Sequence, residues 1–315
     1  MKITAIGVIK NAADVIETCI RGNSWLIDQF VFLDNMSTDR TVEILHSLQA
    51  EGFNIEIIND TEIQHAQAKK MDNLCAYVYE KYLSDFIIPL DDDEIIIPAN
   101  ETISMEDAKT SLDSLNRDSL YYISWRVYIP TDYDDSTEIN VAKRQTFCFS
   151  DTVSTHNKVI IPSALTREEG FHILDGNHAA IFSREHGNFL FPDLKLAHFP
   201  IRSEEQIKSK ALIGYTNLLS IPGRYEVNGF HWGVIYEQIK EGTPLTTDLL
   251  QTLSALYLMP DAEIEVIKNP VKLPKEYLTL KYTHSNEINA LKNYCNNVEA
   301  LAAKYAELAK QLEDE

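Results

Sequence analysis

With 315 residues, 44% of them hydrophobic and 24% charged, the chain can bury the core of one large α/β domain or two smaller ones. A net charge of −20 and a pI near 4.8 exclude a basic nucleic-acid surface and weigh equally against adhesion to anionic lipid. Any bound phosphate has to be neutralised locally, by a metal or a few basic side chains. Cys19, Cys75, Cys148 and Cys295 form no CxxC pair, which points away from zinc and from a disulfide framework and toward a reducing compartment. No run reaches the roughly eighteen apolar residues of a membrane span, and the apolar run from Ile3 ends at Lys10-Asn11 without a signal-peptide cleavage pattern. The expected location is the cytoplasm.

In chain order, Ile3 to Ile9 reads as a buried strand, Lys10-Asn11 as a turn, and Ala13, Ile16, Glu17 and Ile20 as helical spacing. Phe30 to Leu33 is a second strand running into Asp34-Asn-Met-Ser-Thr-Asp-Arg-Thr41, turn formers with a helix N-cap expected at Ser37, Thr38 or Asp39. Asn54 to Ile58 is a third strand. His65 to Tyr82 is a helical pattern carrying Lys69 and Lys70, and Phe86 to Leu90 is a fourth strand. Strands alternating with helices predict right-handed βαβ units and a parallel sheet, whose ligands bind beyond the carboxyl ends of the strands. Lys10-Asn11, Asp34-Asn35 and the acids after Leu90 all fall at that edge.

Those acids, Asp91-Asp-Asp-Glu94, stand between Phe86-Ile-Ile-Pro-Leu90 and Ile95-Ile-Ile97. Carboxylates enclosed by apolar β-formers are costly to desolvate unless a cation neutralises them. If the backbone stays extended through the box, Asp91 and Asp93 project to one side and can hold a hard, oxygen-preferring cation, Mg2+ or Mn2+, which can in turn hold phosphates.

Farther on, the pattern predicts a helix over Ser104 to Asn116, a strand from Leu120 to Ile129, an acidic loop from Thr131 to Asn140 and a short strand from Lys158 to Pro162. A turn at Leu174-Asp-Gly-Asn-His leads into another strand, and Leu194 to Pro200 follows. Ser203-Glu-Glu-Gln206 is a capping-box pattern opening a helix to about Leu219. From Tyr236 the pattern is mostly helical, interrupted by Pro244, Pro260, Pro270 and Pro274. Leu291, Cys295, Val298, Ala302, Tyr305, Ala309 and Leu312 alternate by four and three, a coiled-coil-like spacing that suggests homo-oligomer assembly through a helix over 286–314.

The Lys10-Asn11 turn, the Asp34–Thr41 segment and the acidic box together resemble the nucleotide-sugar-binding half of family 2 glycosyltransferases with the GT-A, or nucleotide-diphospho-sugar transferase, fold. The nearer likeness is to a bacterial branch with a D-x-D-E box and a later H-F-P-x-R-S segment, here His198-Phe-Pro-Ile-Arg-Ser203. The resemblance spans about residues 1–220, implying a nucleotide-binding half (1–100), an acceptor half (101–220) and a mostly helical extension (221–315). It implies an α/β fold with a mostly parallel central sheet, with Asp34 on the base and with Asp91 and Asp93 on the metal that bridges the donor diphosphate. It also implies Asp175 as the acid that deprotonates the acceptor and His198 as completing the metal shell. Asp92 fills the variable position of the box, so Asp92 with Glu94 is an alternative ligand pair.

The chemistry follows without the name. Transfer of a glycosyl group builds negative charge on the leaving diphosphate, which a divalent cation stabilises as a Lewis acid. Lys10, Asn11, Asn35, Lys69, Lys70 and Arg202 are candidates for holding the nucleotide, Arg being able to grip phosphate in a bidentate manner. Asp175 is a candidate general base for the acceptor hydroxyl and His178 a competing one. The expected function is metal-dependent, inverting transfer from a nucleotide sugar, a UDP-sugar first, to a carbohydrate or lipid-linked hydroxyl in surface polysaccharide synthesis. The alternatives are a nucleotidyltransferase or phosphohydrolase, and a non-catalytic nucleotide-binding scaffold. A chain with 11 glycines and no Walker-type loop is not a P-loop enzyme. Trp125 and Trp232 suit sugar stacking but are expected in the core.

Overall fold

Apolar, β-branched runs in the first ninety residues form β1 (Ile3–Ile9), β2 (Gln29–Asp34), β3 (Ile55–Asn59) and β4 (Phe86–Pro89), joined by helices α1 (Ile16–Asn23), α2 (Thr41–Glu51) and α3 (Gln67–Tyr82). This computed structural model describes residues 1–62, 67–150, 156–220, 230–258 and 265–313. The start of the predicted helix at His65 lies outside the described residues. The four strands lie in the order β3-β2-β1-β4, every pair parallel. Ile3, Ile6, Phe32, Ile87 and Ile88 have no exposed surface, because helices cover both faces of such a sheet.

After the acidic box come β5 (Glu94–Pro98), α4 (Met105–Asp113), β6 (Ser119–Ile129), α5 (Val141–Arg144), β7 (Phe147–Phe149) and β8 (Asn157–Pro162). The chain continues through β9 (His172–Ile173), β10 (Ala180–Ile181), β11 (Gly187–His198), α6 (Glu204–Leu219), α7 (Phe230–Lys240), α8 (Thr247–Ser254), β12 (Val266–Lys268) and α9 (Ala290–Glu313). Beyond β4 the sheet changes character: β8 joins β4 antiparallel, and β6, β7 and β12 extend it antiparallel. β11 runs parallel to β6 and antiparallel to β5. The expected parallel sheet is thus confined to β1 to β4, and the whole sheet is mixed.

The C-terminal segment folds back onto the first half. Glu17, in the first turn of α1 and without exposed surface, accepts hydrogen bonds from the backbone N–H groups of Lys281 (2.7 Å), Tyr282 (2.9 Å) and Thr283 (2.8 Å) and from Arg21 Nε (2.8 Å). Burial works against its charge, but these donors outweigh it and hold the carboxyl below its ordinary value. A depressed acid contributes stability above its unfolded pKa that is lost as pH falls through the folded value. Glu17→Gln is therefore expected to cost about 2–3 kcal/mol, hydrogen bonds to a charged group being worth that together with the buried donors left behind. The cost should begin to shrink below about pH 4 and go on shrinking as pH falls through the depressed folded value, as urea melts of variant and parent would show.

α9 rests on α6 through polar contacts: Asn293 Nδ2 donates to Ser209 Oγ (3.2 Å) and Asn297 Nδ2 to Asn217 Oδ1 (2.8 Å). Of the four-three apolar spacing, Leu291, Cys295, Val298 and Tyr305 are exposed, although the Tyr305 hydroxyl donates to the Ser220 carbonyl at the end of α6 (2.9 Å). Among the described residues no helix is long and apolar enough to cross a membrane.

Candidate active site

The carboxyl edge of the parallel sheet is tied together by side chains of two loops. Asn11, with φ of 52°, occupies the left-handed region that asparagine tolerates. Its N–H donates to Ser37 Oγ (2.9 Å) and its Oδ1 accepts from Thr38 N (2.8 Å). Ala13 N donates to Asp39 Oδ2 (3.1 Å). The N-cap position of α2 is Arg40, which gives no side-chain cap, but of the three expected residues Asp39 does serve the helix end, its Oδ1 accepting from Thr41 N (2.9 Å), while Ser37 and Thr38 fasten the turn after β1. Asp34 is buried at the end of β2 and accepts from Ser37 N (3.3 Å).

A cavity of about 590 Å³ opens at this edge. Lys10, Asn11, Asn35, Lys70, Asp91, Asp92, Asp93, Asp175, His178, His198 and Arg202 line it, whereas Asp34 and Lys69 do not. Lys69 is exposed on α3, one residue round the helix from Lys70. At one end, Lys10 Nζ donates to Asn35 Oδ1 (3.4 Å), and both Asn35 Nδ2 (2.9 Å) and Lys70 Nζ (2.6 Å) donate to Asp60 Oδ2. Burial lowers the Lys10 ammonium from its ordinary value despite Asp34.

The box itself is not extended. Asp92 and Asp93 form a turn between β4 and β5, so strand alternation does not place Asp91 and Asp93 side by side. The approach of β4 to β1 depends on Gly7, where a Cβ would lie 2.4 Å from the Leu90 carbonyl oxygen. Asp91 turns to Lys158 Nζ (2.8 Å) and accepts from Asn177 Nδ2 (3.3 Å). Lys158 has no exposed surface and reaches Glu94 Oε1 as well (3.0 Å). Glu94 Oε2 folds back to accept from Asp91 N (2.8 Å). Burial opposes the Lys158 charge, but Asp91 and Glu94 raise its pKa above the ordinary value. Burial pushes Glu94 up to about 8 although Lys158 pulls the other way. Glu94 is therefore a structural partner of Lys158, which argues against the Asp92–Glu94 ligand pair.

Asp93 points the opposite way, toward Lys210, Arg202 and His198. Its Oδ2 lies 3.0 Å from Lys210 Nζ and 3.3 Å from Arg202 NH1, and its Oδ1 lies 3.5 Å from His198 Nε2. Burial disfavours the carboxylate, yet Lys210, His198 and Arg202 outweigh it and hold the pKa well below the usual range. Asp14 grips the other side of Arg202 (2.7 Å). Asp92 lies between, partly exposed. Enclosure by protein and repulsion from Asp93 push its carboxyl up to about 7.

A ring cluster forms the wall beside the box. Trp125 lies 4.3 Å from His198 and 5.0 Å from His178, and His178 stacks on His156 at 4.9 Å, all between ring centroids. His178 Nδ1 donates to the Asn157 carbonyl (3.0 Å), and burial, assisted by Lys158, lowers its pKa to about 4. Three buried polar atoms here, Trp125 Nε1, His198 Nδ1 and Asn177 Oδ1, have no hydrogen-bond partner among the described residues. Native interiors seldom leave such groups orphaned unless a water, ion or ligand completes them.

Among the described residues, no three His, Cys, Asp or Glu side chains form a ready-made metal cage. The donor set nonetheless fits Mg2+ or Mn2+, which bind through one or two carboxylates and take their remaining ligands from water and substrate phosphate. Asp93 and His198 stand together, and the neighbouring Asp92 carboxyl is raised by its enclosure and then by repulsion from Asp93, which a divalent cation would relieve.

Sequence reasoning missed Lys158, Lys210, Asp14 and Asn177. Lys158 had a signal, a lysine opening the apolar run Val159-Ile-Ile161. Lys210 had another, since Gln206, Lys210 and Gly214 repeat every four residues on α6 and all line the cavity.

Residues 4–102, which hold β1 to β5 and the whole acidic box, match the model of glycosyl transferase family 2. Similar solved structures are remote. S. aureus TarS 1–349 in complex with UDP is 15% identical over 74% of this chain and 68% of that chain, with a TM-score of 0.41. Mannosyltransferase PcManGT from Pyrobaculum calidifontis in complex with GDP-Man and Mn2+ is 14% identical over 99% and 79%, with a TM-score of 0.38. M. tuberculosis glucosyl-3-phosphoglycerate synthase in complex with Mn2+, UDP and glucosyl-3-phosphoglycerate is 12% identical over 69% and 79%, with a TM-score of 0.33. No curated protein matches the sequence.

Proposed function

We propose that the protein is a glycosyltransferase of GT-A fold and a metal-dependent, inverting enzyme, a reading supported by the match of residues 4–102 to the model of glycosyl transferase family 2. It takes its sugar from a nucleoside diphosphate donor, a UDP-sugar first, and passes it to a hydroxyl of a glycan or lipid-linked acceptor in surface polysaccharide synthesis, acting in the cytoplasm. The observation that carries this reading is the position of Asp91-Asp92-Asp93 at the carboxyl end of β4, in one cavity with Lys10, Asn11 and Asn35.

In this reading Asp93, with Asp92 and His198, would hold the divalent cation, which would supply charge stabilisation for the departing diphosphate. Arg202 and Lys210 flank Asp93 and place two fixed cations beside the phosphates. Asp91, paired with Lys158, holds the turn of the box. Asp175 takes the acceptor proton. A His178 with a pKa of about 4 is a weak base at neutral pH, and its ring is better suited to shaping the wall against Trp125. The test is incubation with sugar nucleotides, Mn2+ and an extract of surface glycan precursors. Nucleoside diphosphate release matched by sugar incorporation is expected. Release of free sugar or of nucleoside monophosphate without incorporation would overturn the reading in favour of a hydrolase or nucleotidyltransferase.

A further inference from the structure

β9 and β10 pair with each other in a two-stranded sheet of their own, so no ladder of the main sheet fixes the loop between them, residues 174–179. That loop carries Asp175, Gly176 and His178 of the cavity wall, and individual hydrogen bonds place it. Leu174 N donates to Ala179 O (2.9 Å) and Asn177 N to Leu174 O (3.0 Å), which closes the turn. Toward α3, Asp175 Oδ1 accepts from Ala68 N and Gly176 N donates to Gln67 Oε1, both at 3.3 Å. Toward β8, His178 Nδ1 donates to the Asn157 carbonyl (3.0 Å). Toward the acidic box, Asn177 Nδ2 donates to Asp91 Oδ1 (3.3 Å).

Asn177 has no exposed surface, so it acts on the cavity through its neighbours. Its φ is 61° and follows a φ of 80° at Gly176, two consecutive residues in the left-handed region, where glycine and asparagine are the tolerated choices. Its Oδ1 is buried without a hydrogen-bond partner among the described residues, a cost that native interiors seldom carry. Its Nδ2 is spent on a carboxylate that is itself anchored, since Asp91 Oδ2 accepts from Nζ of the fully buried Lys158 (2.8 Å). Local costs of this kind are kept where function needs them. What offsets them here is a continuous link from the box to the loop, Lys158 to Asp91 to Asn177.

We infer that Asn177 is a positioning residue: through Asp91 it sets the acidic box, which holds the donor, at a fixed distance from Asp175, two residues earlier in the chain, which takes the acceptor proton. The inference rests on the glycosyltransferase reading and adds to it a residue that touches neither substrate nor cation. Slackening the link leaves the donor site intact and lets Asp175 drift from the reacting hydroxyl. The loss therefore falls on kcat and spares donor binding. Asparagine suits the position because it accepts the left-handed backbone and also supplies a donor. Glycine accepts the same backbone and supplies none.

The experiment compares Asn177→Gly, which keeps the backbone and deletes the donor, with Asp72→Ala. Asp72 lies outside the cavity lining and holds the strand end of the same hairpin, accepting from Ile173 N (2.8 Å) and meeting His172 Nδ1 (3.0 Å). UDP-glucose, UDP-galactose, UDP-N-acetylglucosamine and GDP-mannose are supplied with Mn2+ and an extract of surface glycan precursors, and the donor that gives transfer is carried into kinetics. In Asn177→Gly the apparent kcat should fall about 30-fold, since a misplacement of about 1 Å can cost about a hundredfold. Its donor KM, and the Kd of UDP or GDP by calorimetry, should stay within about threefold of the parent. Asp72→Ala should keep kcat within about threefold. The inference is overturned if Asn177→Gly keeps the parental kcat, or if its nucleoside diphosphate affinity falls along with kcat, which would make Asn177 a structural residue. It is equally overturned if Asp72→Ala loses kcat as heavily, which would make any loosening of the hairpin sufficient. A parent that binds neither UDP nor GDP and transfers none of the four sugars would overturn the glycosyltransferase reading, and the inference with it.

Discussion

Replacing Asp93 by asparagine is expected to reduce sugar transfer by about 1,000-fold at saturating donor and Mn2+, with the fold retained. Asparagine preserves the volume of this 2%-exposed side chain and removes only its charge. The lost carboxylate faces His198 and is contacted by Arg202 and Lys210, so under the proposed function the change would strike at cation binding and at the groups proposed to flank the diphosphate together. Charge stabilisation by a metal is worth several kcal/mol, and about 4 kcal/mol corresponds to roughly a thousandfold in rate. The fold should survive because Arg202 keeps its bond to Asp14 (2.7 Å) and Lys210 is partly exposed. Circular dichroism and steady-state kinetics on the same preparation check both parts. Activity within twofold of the parent would remove Asp93 from the mechanism.

Replacing Lys158 by methionine is expected to be the most damaging change to stability, costing about 3–5 kcal/mol at pH 8, because removing one partner leaves a buried charge uncompensated. Methionine fills the space of the stem but abandons Glu94, which has no exposed surface, and also Asp91. Burial already raises the Glu94 carboxyl with Lys158 present, and without the ammonium, which pulls the other way, its folded pKa is expected to rise further. A carboxyl with a raised folded pKa stabilises less as pH increases above its unfolded value near 4.3. The variant should therefore lose less stability at pH 5 than at pH 8, and Glu94→Gln added to Lys158→Met should recover part of the loss at pH 8. Urea titrations at the two pH values test this. An equal or larger loss at pH 5 would show that packing of the stem, and not the ion pair, sets the cost.

Periodicity revealed β1 to β4 because each is an apolar run closed by a turn, and the order of strands and helices placed their carboxyl ends together. The acidic box was legible for the same reason: four acids between isoleucines demand a cation. What periodicity could not reveal is where a side chain points once the backbone bends. The turn at Asp92-Asp93 sends Asp91 toward Lys158 and Asp93 toward Lys210 and Arg202, and a strand-like reading of the box puts both on one side. Lys69 and Lys70 look equivalent as neighbours in a helix, yet a rotation of about 100° separates an exposed lysine from one bound to Asp60. Long-range pairing is the other hidden layer. Glu17 fits an amphipathic helix by spacing, and its three backbone donors come from residues 281–283, some 265 positions away. Nor does the short strand β12, which pairs with β7, announce itself in a stretch punctuated by prolines.

Calorimetric titration of UDP, GDP and CDP into the parent protein, with and without Mn2+, and into Asp93→Asn tests the central claim most directly. Binding of one nucleoside diphosphate that requires Mn2+ and is lost in the variant is the predicted result. Binding that is indifferent to Mn2+ and to the charge of Asp93, or no binding of any of the three, would contradict a metal-assisted donor site at the acidic box.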